Sequence, residues 1–250
     1  MPLVRVGVAG WSLPRPLWPE FPAEGSHLER YAGRLDAVEI NSSFYRPHRP
    51  STYARWAASV PEGFRFAVKV PRTLTHERRL ADPAPLLDPF LGEAGALGDR
   101  LGPLLVQLPP SLRWDADVAA AFFDALRERF DGAVACEPRH ATWFAPEPEA
   151  MLAARRVARV AADPLPRGVP PSAAEPGGWD GFTYWRLHGA PKIYYSDYDA
   201  PYLEALAARL AALPRADRAP GAHWCIFDNT AEGCAWANAL DLTRRLGPVR

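Results

Sequence analysis

Eight short runs rich in β-branched and other apolar residues recur down the chain. Their spacing constrains the fold more than any other feature. They are Val4–Ala9, Ala37–Ile40, Phe64–Val70, Leu104–Leu108, Ala133–Glu137, Val157–Ala162, Phe182–Leu187 and Trp224–Phe227. Their starts lie roughly 25 to 40 residues apart, the length of a β/α unit. Helical patterns fill most intervals. Ser51–Val60 starts at a Ser cap, and Asp115–Phe130 starts at an Asp cap with Val118, Phe122, Leu126 and Phe130 on one face. Glu147–Arg156, Pro201–Leu213 and Ala231–Leu246 read the same way. Eight strands alternating with helices predict an α/β chain with one domain over residues 1–250, a single (β/α)8 TIM barrel. An open doubly wound sheet is the alternative; the absence of G-x-G-x-x-G after the first strand and of a P-loop weakens it. The stretch Asp163–Asp180 is rich in Pro and Gly and reads as an irregular loop in place of the sixth helix, a lid or a linker.

Charge and cysteine content narrow the function classes. The 29 Lys+Arg residues balance 29 Asp+Glu, which argues against a broad cationic nucleic-acid grip or a polybasic membrane anchor and leaves room for a local basic patch. With 48% hydrophobic and 23% charged residues the composition is globular rather than disordered. No run approaches the ~18 apolar residues of a membrane span. The opening MPLVRVGVAGW has no cationic leader followed by a long apolar core, so no signal peptide and a cytoplasmic chain are expected. Cys136, Cys225 and Cys234 show no C-x-x-C spacing, which favours neither a disulfide framework nor a zinc knuckle.

Strand side chains alternate between two faces. In the first run Val4, Val6 and Val8 oppose Arg5, Gly7 and Ala9, and the later runs repeat the contrast between bulky apolar and small or polar faces. The bulky face is expected to meet helices and the small, polar face to line the barrel. Its polar members collect at the carboxyl ends of the strands, where barrel sites are built: Glu39, Asn41, Lys69, Gln107, Glu137, Arg186, His188, Asp228 and Asn229. Rare residue types concentrate there. Lys69 is one of two lysines, Gln107 the sole glutamine, and Asn41 and Asn229 two of three asparagines.

These residues sit in ordered motifs: Gly10-Trp11-Ser12, Val38 through Tyr45, Phe64 through Arg72, Gln107 through Pro110, Glu137-Pro138-Arg139-His140, Arg186 through Gly189 and Phe227-Asp228-Asn229. With them the chain resembles, over nearly its whole length, the YecE-like family, domain of unknown function 72. The resemblance implies a TIM barrel and no established activity. Two motifs depart from the family pattern: EPRH stands where E-F-R-H is usual, and FDNT where Y-F-N-N is usual.

Several chemistries compete for the rim. Lys69 is a candidate anion partner, general acid or Schiff-base amine; against these stands a structural ion pair with Glu39 on the neighbouring strand. Glu39 and Glu137 could flank a substrate as paired carboxylates, or each could balance a cation: Lys69 for one, Arg139 or Arg186 for the other. His76, His140 and His188 with Glu39, Glu137 and Asp163 offer donors for a divalent metal. The basic neighbours oppose it, and no cofactor is predicted. Lys69, Arg72, Arg139 and Arg186 suggest an anion site. Trp11, Tyr45, Trp143, Tyr194, Tyr195 and Tyr198 add aromatic faces suited to a sugar or a base. Ser12 lies outside any G-x-S-x-G elbow and is expected to cap or bind a polar group. Asn41, Gln107 and Asn229 would orient the ligand. The leading expectation is an enzyme acting on a small phosphorylated or sugar-like anion, by hydrolysis. A nucleic-acid-binding or nucleic-acid-processing barrel and a non-catalytic ligand sensor are the alternatives. No membrane partner is expected, and the sequence indicates no protein partner.

Overall fold

The computed structural model describes residues 3–214 and 223–247; Met1 and Pro2 of the opening run lie outside them. Ten strands form one sheet: β1 Val4–Ala9, β2 Ala37–Ile40, β3 Arg65–Lys69, β4 Leu101–Gln107, β5 Val134–Glu137, β6 Val157–Arg159, β7 Ala161–Asp163, β8 Gly177–Gly178, β9 Tyr184–Leu187 and β10 His223–Phe227. Their order is β7-β9-β10-β1-β2-β3-β4-β5-β6-β8. Every pair is parallel except β6 with β8. The predicted sixth strand, Val157–Ala162, is therefore two segments. β6 pairs with β5 and β7 with β9, and the switch falls at Val160. Because β6 and β7 are consecutive in the chain, this partner switch closes the sheet into a TIM barrel.

Among the described residues seven α-helices follow the strands: α1 His27–Ala32, α2 Pro50–Ala58, α3 Ala84–Ala94, α4 Ala116–Arg127, α5 Pro146–Ala154, α6 Ala200–Ala211 and α7 Cys234–Leu246. Asp115 caps α4 as expected, accepting from Val118 N at 3.1 Å. Ser51 is not a cap. α2 starts at Pro50, whose fixed φ and missing N–H suit the first helical turn. α7 starts at Cys234 rather than Ala231 because Gly233, at φ 86°, breaks the helix there. The strand and helix reading passed over α1 and α3. α1 carries a legible start signal, the Ser26–Glu29 capping box: Glu29 N donates to Ser26 Oγ at 3.3 Å and Ser26 N to Glu29 Oε2 at 2.7 Å. No α-helix follows β7. Residues 163–180 hold a 3-10 turn, Pro171–Ala174, and β8. Gly178 N donates to Glu149 Oε2 at 2.6 Å, which fastens this segment to α5.

The two strand faces build two cores, as the alternation requires. Val4, Val6, Val8, Val38, Ile40, Val68 and Val106 pack with the helix residues Leu28, Tyr31, Phe122, Leu126, Leu206 and Leu242. The barrel interior is separate: alanines 9, 37, 67, 133, 135 and 158 with Leu105, Phe182, Tyr184, Trp224 and Ile226. Small residues on β1–β3, β5 and β6 leave room for large ones on β9 and β10. The Tyr184 and Trp224 rings stack there at 6.0 Å. Gly7 belongs to this crowded interior. A Cβ on it would lie 2.3 Å from the Ala37 carbonyl oxygen. Gly7→Ala must push backbone against backbone, and a loss of about 1–3 kcal/mol in urea-denaturation stability is expected. An unchanged midpoint would mean that β1 and β2 can separate freely.

Candidate functional site

Above the aromatic layer the inward residues become charged. Ile226 pairs in register with Arg186, Ala9 with Glu39 and Gln107 with Glu137, so the carboxyl ends of β2, β4, β5, β9 and β10 converge. Arg186 is the hub and is wholly buried. Its Nε donates to Glu39 Oε2 at 3.0 Å, and Nη2 to Glu39 Oε1 at 2.8 Å, a bidentate fork. Nη1 donates to Glu137 Oε2 at 2.6 Å and Nη2 to Asp228 Oδ2 at 3.0 Å. His188 bridges the other side: Nδ1 lies 3.0 Å from Asp228 Oδ2, and Nε2 lies 3.0 Å from both Glu137 Oε1 and Arg139 Nη2. Arg139 also donates from Nε to Glu137 Oε1 at 2.7 Å, and Tyr184 donates its hydroxyl to Glu39 Oε2 at 3.0 Å.

Electrostatics follow from this geometry. Burial pushes the Glu137 carboxyl up, but Arg139, Arg186 and His188 outweigh it and hold the group well below the usual carboxylate range. Burial also raises Asp228, while Arg186 and His188 bring it below its ordinary value. Burial opposes the charge of Arg186, and Glu39, Glu137 and Asp228 more than restore it. Glu39 and Glu137 grip one guanidinium rather than flanking an open substrate position. A carboxyl held as low as Glu137 is a poor general acid. Arg186 likewise spends four of its five N–H donors on these carboxylates. Among the described residues no group of three or more His, Cys, Asp or Glu is arranged to hold a metal ion. The Arg186 guanidinium occupies the centre that the carboxylates share.

Lys69 behaves differently. It is 5% exposed and, among the described residues, its amine makes no ion pair or hydrogen bond. The expected pair with Glu39 does not form, because Arg186 and Tyr184 take both Glu39 oxygens. The Lys69 Nζ lies 4.2 Å from the centroid of the Phe44 ring instead. Burial and then the neighbouring Arg186 charge push the amine down to about 8, against the pull of Glu39, Asp228 and Glu137.

The other predicted residues divide. His76 packs edge-on to the same Phe44 ring at 4.9 Å. Burial, with Lys69, Arg72 and Arg139 beside it, keeps its imidazole below the ordinary value. Arg72 is half exposed and pairs with Glu77 at 3.1 Å. Among the described residues the buried Oδ1 of Asn41 has no partner, nor has that of Asn229, whose Nδ2 donates to Ser196 O and Asn238 Oδ1 at 2.9 Å each. Gln107 ends β4 half-buried. Tyr45 is 67% exposed beside Phe44, and Tyr195 is 39% exposed with Lys192 Nζ 3.7 Å from its ring centroid. Tyr194 stands edge-on to His188 at 5.9 Å. Four have structural places and Ser12 has none. His140 caps a 3-10 turn through Thr142. Trp11 packs on Trp56 and Phe66. Trp143 is core and donates to Leu112 O. Tyr198 is buried, donates to Asp163 O and accepts from Gly189 N. Ser12 is exposed and caps nothing, since Pro14 precedes the first turn. The rim reading missed Tyr184 and Phe44; the alternation that placed Arg186 inward also placed Tyr184 two positions below it.

The comparisons agree with this architecture. The model of "Protein of unknown function DUF72" matches residues 5–250. The chain belongs to the DUF72 family. The UPF0759 protein YecE of Escherichia coli K12 is 30% identical over 144 residues, 57% of this chain and 51% of YecE. UPF0759 protein YunF of Bacillus subtilis is 25% identical over 150 residues, 58% of this chain and 53% of YunF. The match thus spans about half the length of these curated relatives. Solved DUF72 structures align along the whole chain. One from Enterococcus faecalis has TM-score 0.80 at 20% identity, covering 99% of this chain and 97% of its own. One from Thermotoga maritima has TM-score 0.79 at 24% identity, covering 98% and 100%. A fusion protein described as xylose isomerase-like TIM barrel/4-hydroxyphenylpyruvate dioxygenase has TM-score 0.54 at 17% identity, covering 98% of this chain and 42% of its own. These likenesses show the DUF72 barrel fold. No helix among the described residues is long and apolar enough to cross a membrane.

Proposed function

We propose that the barrel mouth is the site of an enzyme acting on a small anionic molecule, phosphorylated or sugar-like, with Lys69 as the reacting group. One observation supports this above the rest: among the described residues the amine of the buried Lys69 side chain has no ion-pair or hydrogen-bond partner, while every carboxylate of the Arg186 cluster is engaged. Burying an unpaired ammonium is costly, and such cost concentrates at working sites. Composition adds weight. Only two of the 29 basic residues are lysine, and lysine can release its proton where arginine cannot.

Around Lys69 the parts have separate roles. Arg72 sits in an exposed pair that contributes little stability, so a ligand phosphate can take it from Glu77. Asn41 offers an acceptor to a ligand hydroxyl. Neutral His76 is the nearby base. Tyr45 on one side and Tyr194 and Tyr195 on the other offer ring faces to a sugar. The Arg186 cluster fixes the floor.

A thermal-shift titration with ribose 5-phosphate, glucose 6-phosphate and inorganic phosphate tests this. At a hundred times the dissociation constant a ligand stabilises the fold by about 2.7 kcal/mol, so Tm is expected to rise with a phosphorylated sugar and not to rise in Lys69→Met. No rise with any of the three, or an equal rise in Lys69→Met, overturns the reading. A rise only with a single-stranded oligonucleotide, vanishing at high salt, replaces it with the nucleic-acid reading.

A further inference from the structure

Arginine outnumbers lysine so heavily in this chain that a surface cation is nearly always arginine. The second lysine, Lys192, is exposed with its Nζ over the Tyr195 ring. Lys69 is the one lysine in the barrel interior, and it makes no contact that a guanidinium could not make better. A point charge for an anion, a cation over an aromatic ring or a partner for Glu39 would each suit arginine. A primary amine offers one thing more, a nitrogen that attacks carbon.

We propose that Lys69 is a nucleophile that forms an imine with the carbonyl carbon of its substrate, a small aldehyde or ketone that also carries an anionic group. This rests on the reading of the mouth given above and names its substrate class. Three features of the surroundings fit. The amine has no carboxylate partner to hold it as ammonium, since Glu39, Glu137 and Asp228 are tied to Arg186 and His188. A fixed guanidinium nearby disfavours the ammonium, as does burial. A base lies against the same ring: Lys69 Nζ and the His76 imidazole are 4.2 and 4.9 Å from the Phe44 centroid. Thr75 Oγ1 lies 2.9 Å from His76 Nδ1, which leaves Nε2 for the proton.

The step balances without any further reactant. His76 Nε2 takes a proton from the Lys69 ammonium. The free amine attacks the carbonyl carbon, the C=O π electrons move to oxygen, and a proton passes from nitrogen to that oxygen, giving a carbinolamine. Its hydroxyl takes the proton back from His76 and leaves as water, while the nitrogen lone pair forms the C=N bond. Ammonium plus carbonyl become iminium plus water. The positive charge stays in the field of the same three carboxylates.

Reductive trapping reads this directly. The protein is incubated at pH 7.5 with sodium cyanoborohydride and dihydroxyacetone phosphate, ribose 5-phosphate or pyruvate, then digested and mapped by mass spectrometry. The expected result is an adduct on Lys69 at least about tenfold more abundant than on Lys192, whose exposed amine reports ordinary lysine reactivity. In Lys69→Arg the cation is kept and the nucleophile removed, so the adduct at position 69 is expected to be lost while labelling of Lys192 is unchanged. His76→Ala is expected to slow trapping at Lys69 and not at Lys192. No Lys69 adduct with any probe, or labelling no greater than at Lys192, overturns the imine. If the thermal shift is nonetheless present, the anion-site reading survives alone. Equal trapping of neutral dihydroxyacetone and its phosphate keeps the nucleophile and removes the anionic group from the substrate class.

Discussion

Arg186→Met is expected to unfold the protein at moderate temperature or to cost about 3–5 kcal/mol in urea denaturation, because it leaves Glu39, Glu137 and Asp228 buried without their shared partner. Removing one member of a buried ion network costs more than the network contributes, since the desolvation of the remaining charges is no longer offset. Glu39→Gln in the same chain is expected to recover part of the loss by removing one stranded charge. The pH dependence has a fixed sign. Glu137 and Asp228 titrate lower in the folded chain than unfolded, so their contribution is present above about pH 4, the unfolded value, and is lost as pH falls through the lower folded values. An Arg186→Met protein with the native melting temperature and native acid midpoint would remove the cluster from the account of stability. It follows that Arg186 is a poor probe of ligand binding: loss of binding in that variant would report a disturbed floor.

Lys69→Met is expected to do the opposite. The amine is moved from 10.5 to about 8, which corresponds to about 3 kcal/mol of folded-state cost while the group is charged. At pH 7 both folded and unfolded chains carry the proton, and the folded chain bears that cost in full. Between pH 8 and 10.5 the unfolded chain binds more protons at this site than the folded one, so the Lys69 contribution to stability rises with pH there. The measurement is urea-denaturation stability against pH for both proteins. Lys69→Met is expected to be more stable at pH 7, by up to about 3 kcal/mol, with the advantage shrinking toward pH 10. A Lys69→Met chain that is less stable at pH 7 would show that the lysine serves the cluster as a structural cation. Gain of stability with loss of function in one substitution is the signature of a site that costs the fold something.

Periodicity was enough to read the barrel. A period of two in each run separates Val4, Val6 and Val8 from Gly7 and Ala9, and a comparable split recurs in β2, β3, β4, β5 and β9. It therefore placed Glu39, Lys69, Glu137 and Arg186 on the inner face at the carboxyl ends. Helix starts were legible where a side chain caps, as at Asp115, and could have been read at Ser26. They were not legible at α2, where Pro50 sets the start without a side-chain bond. The break at Val160 left no legible mark in the run Val157–Ala162, because Arg159 is its single polar residue and only the change of neighbour from β5 to β9 divides it.

Partner choice inside the mouth is a different kind of fact. Glu39 lies 147 residues from Arg186, and Glu137 and Asp228 lie 49 and 42 residues from it. A list of inward charges has no preference among the pairings those residues allow. The closed barrel supplies one, since the planar guanidinium of Arg186 makes four hydrogen bonds to three carboxylates, one more than the three N–H donors of an ammonium allow. The sequence by itself determined which side chains face the barrel interior, because strand geometry repeats every two residues. Only the tertiary structure decided that Arg186 would take every carboxylate and leave Lys69 without one, because hydrogen-bond reach across a closed ring depends on where each strand end lies in space.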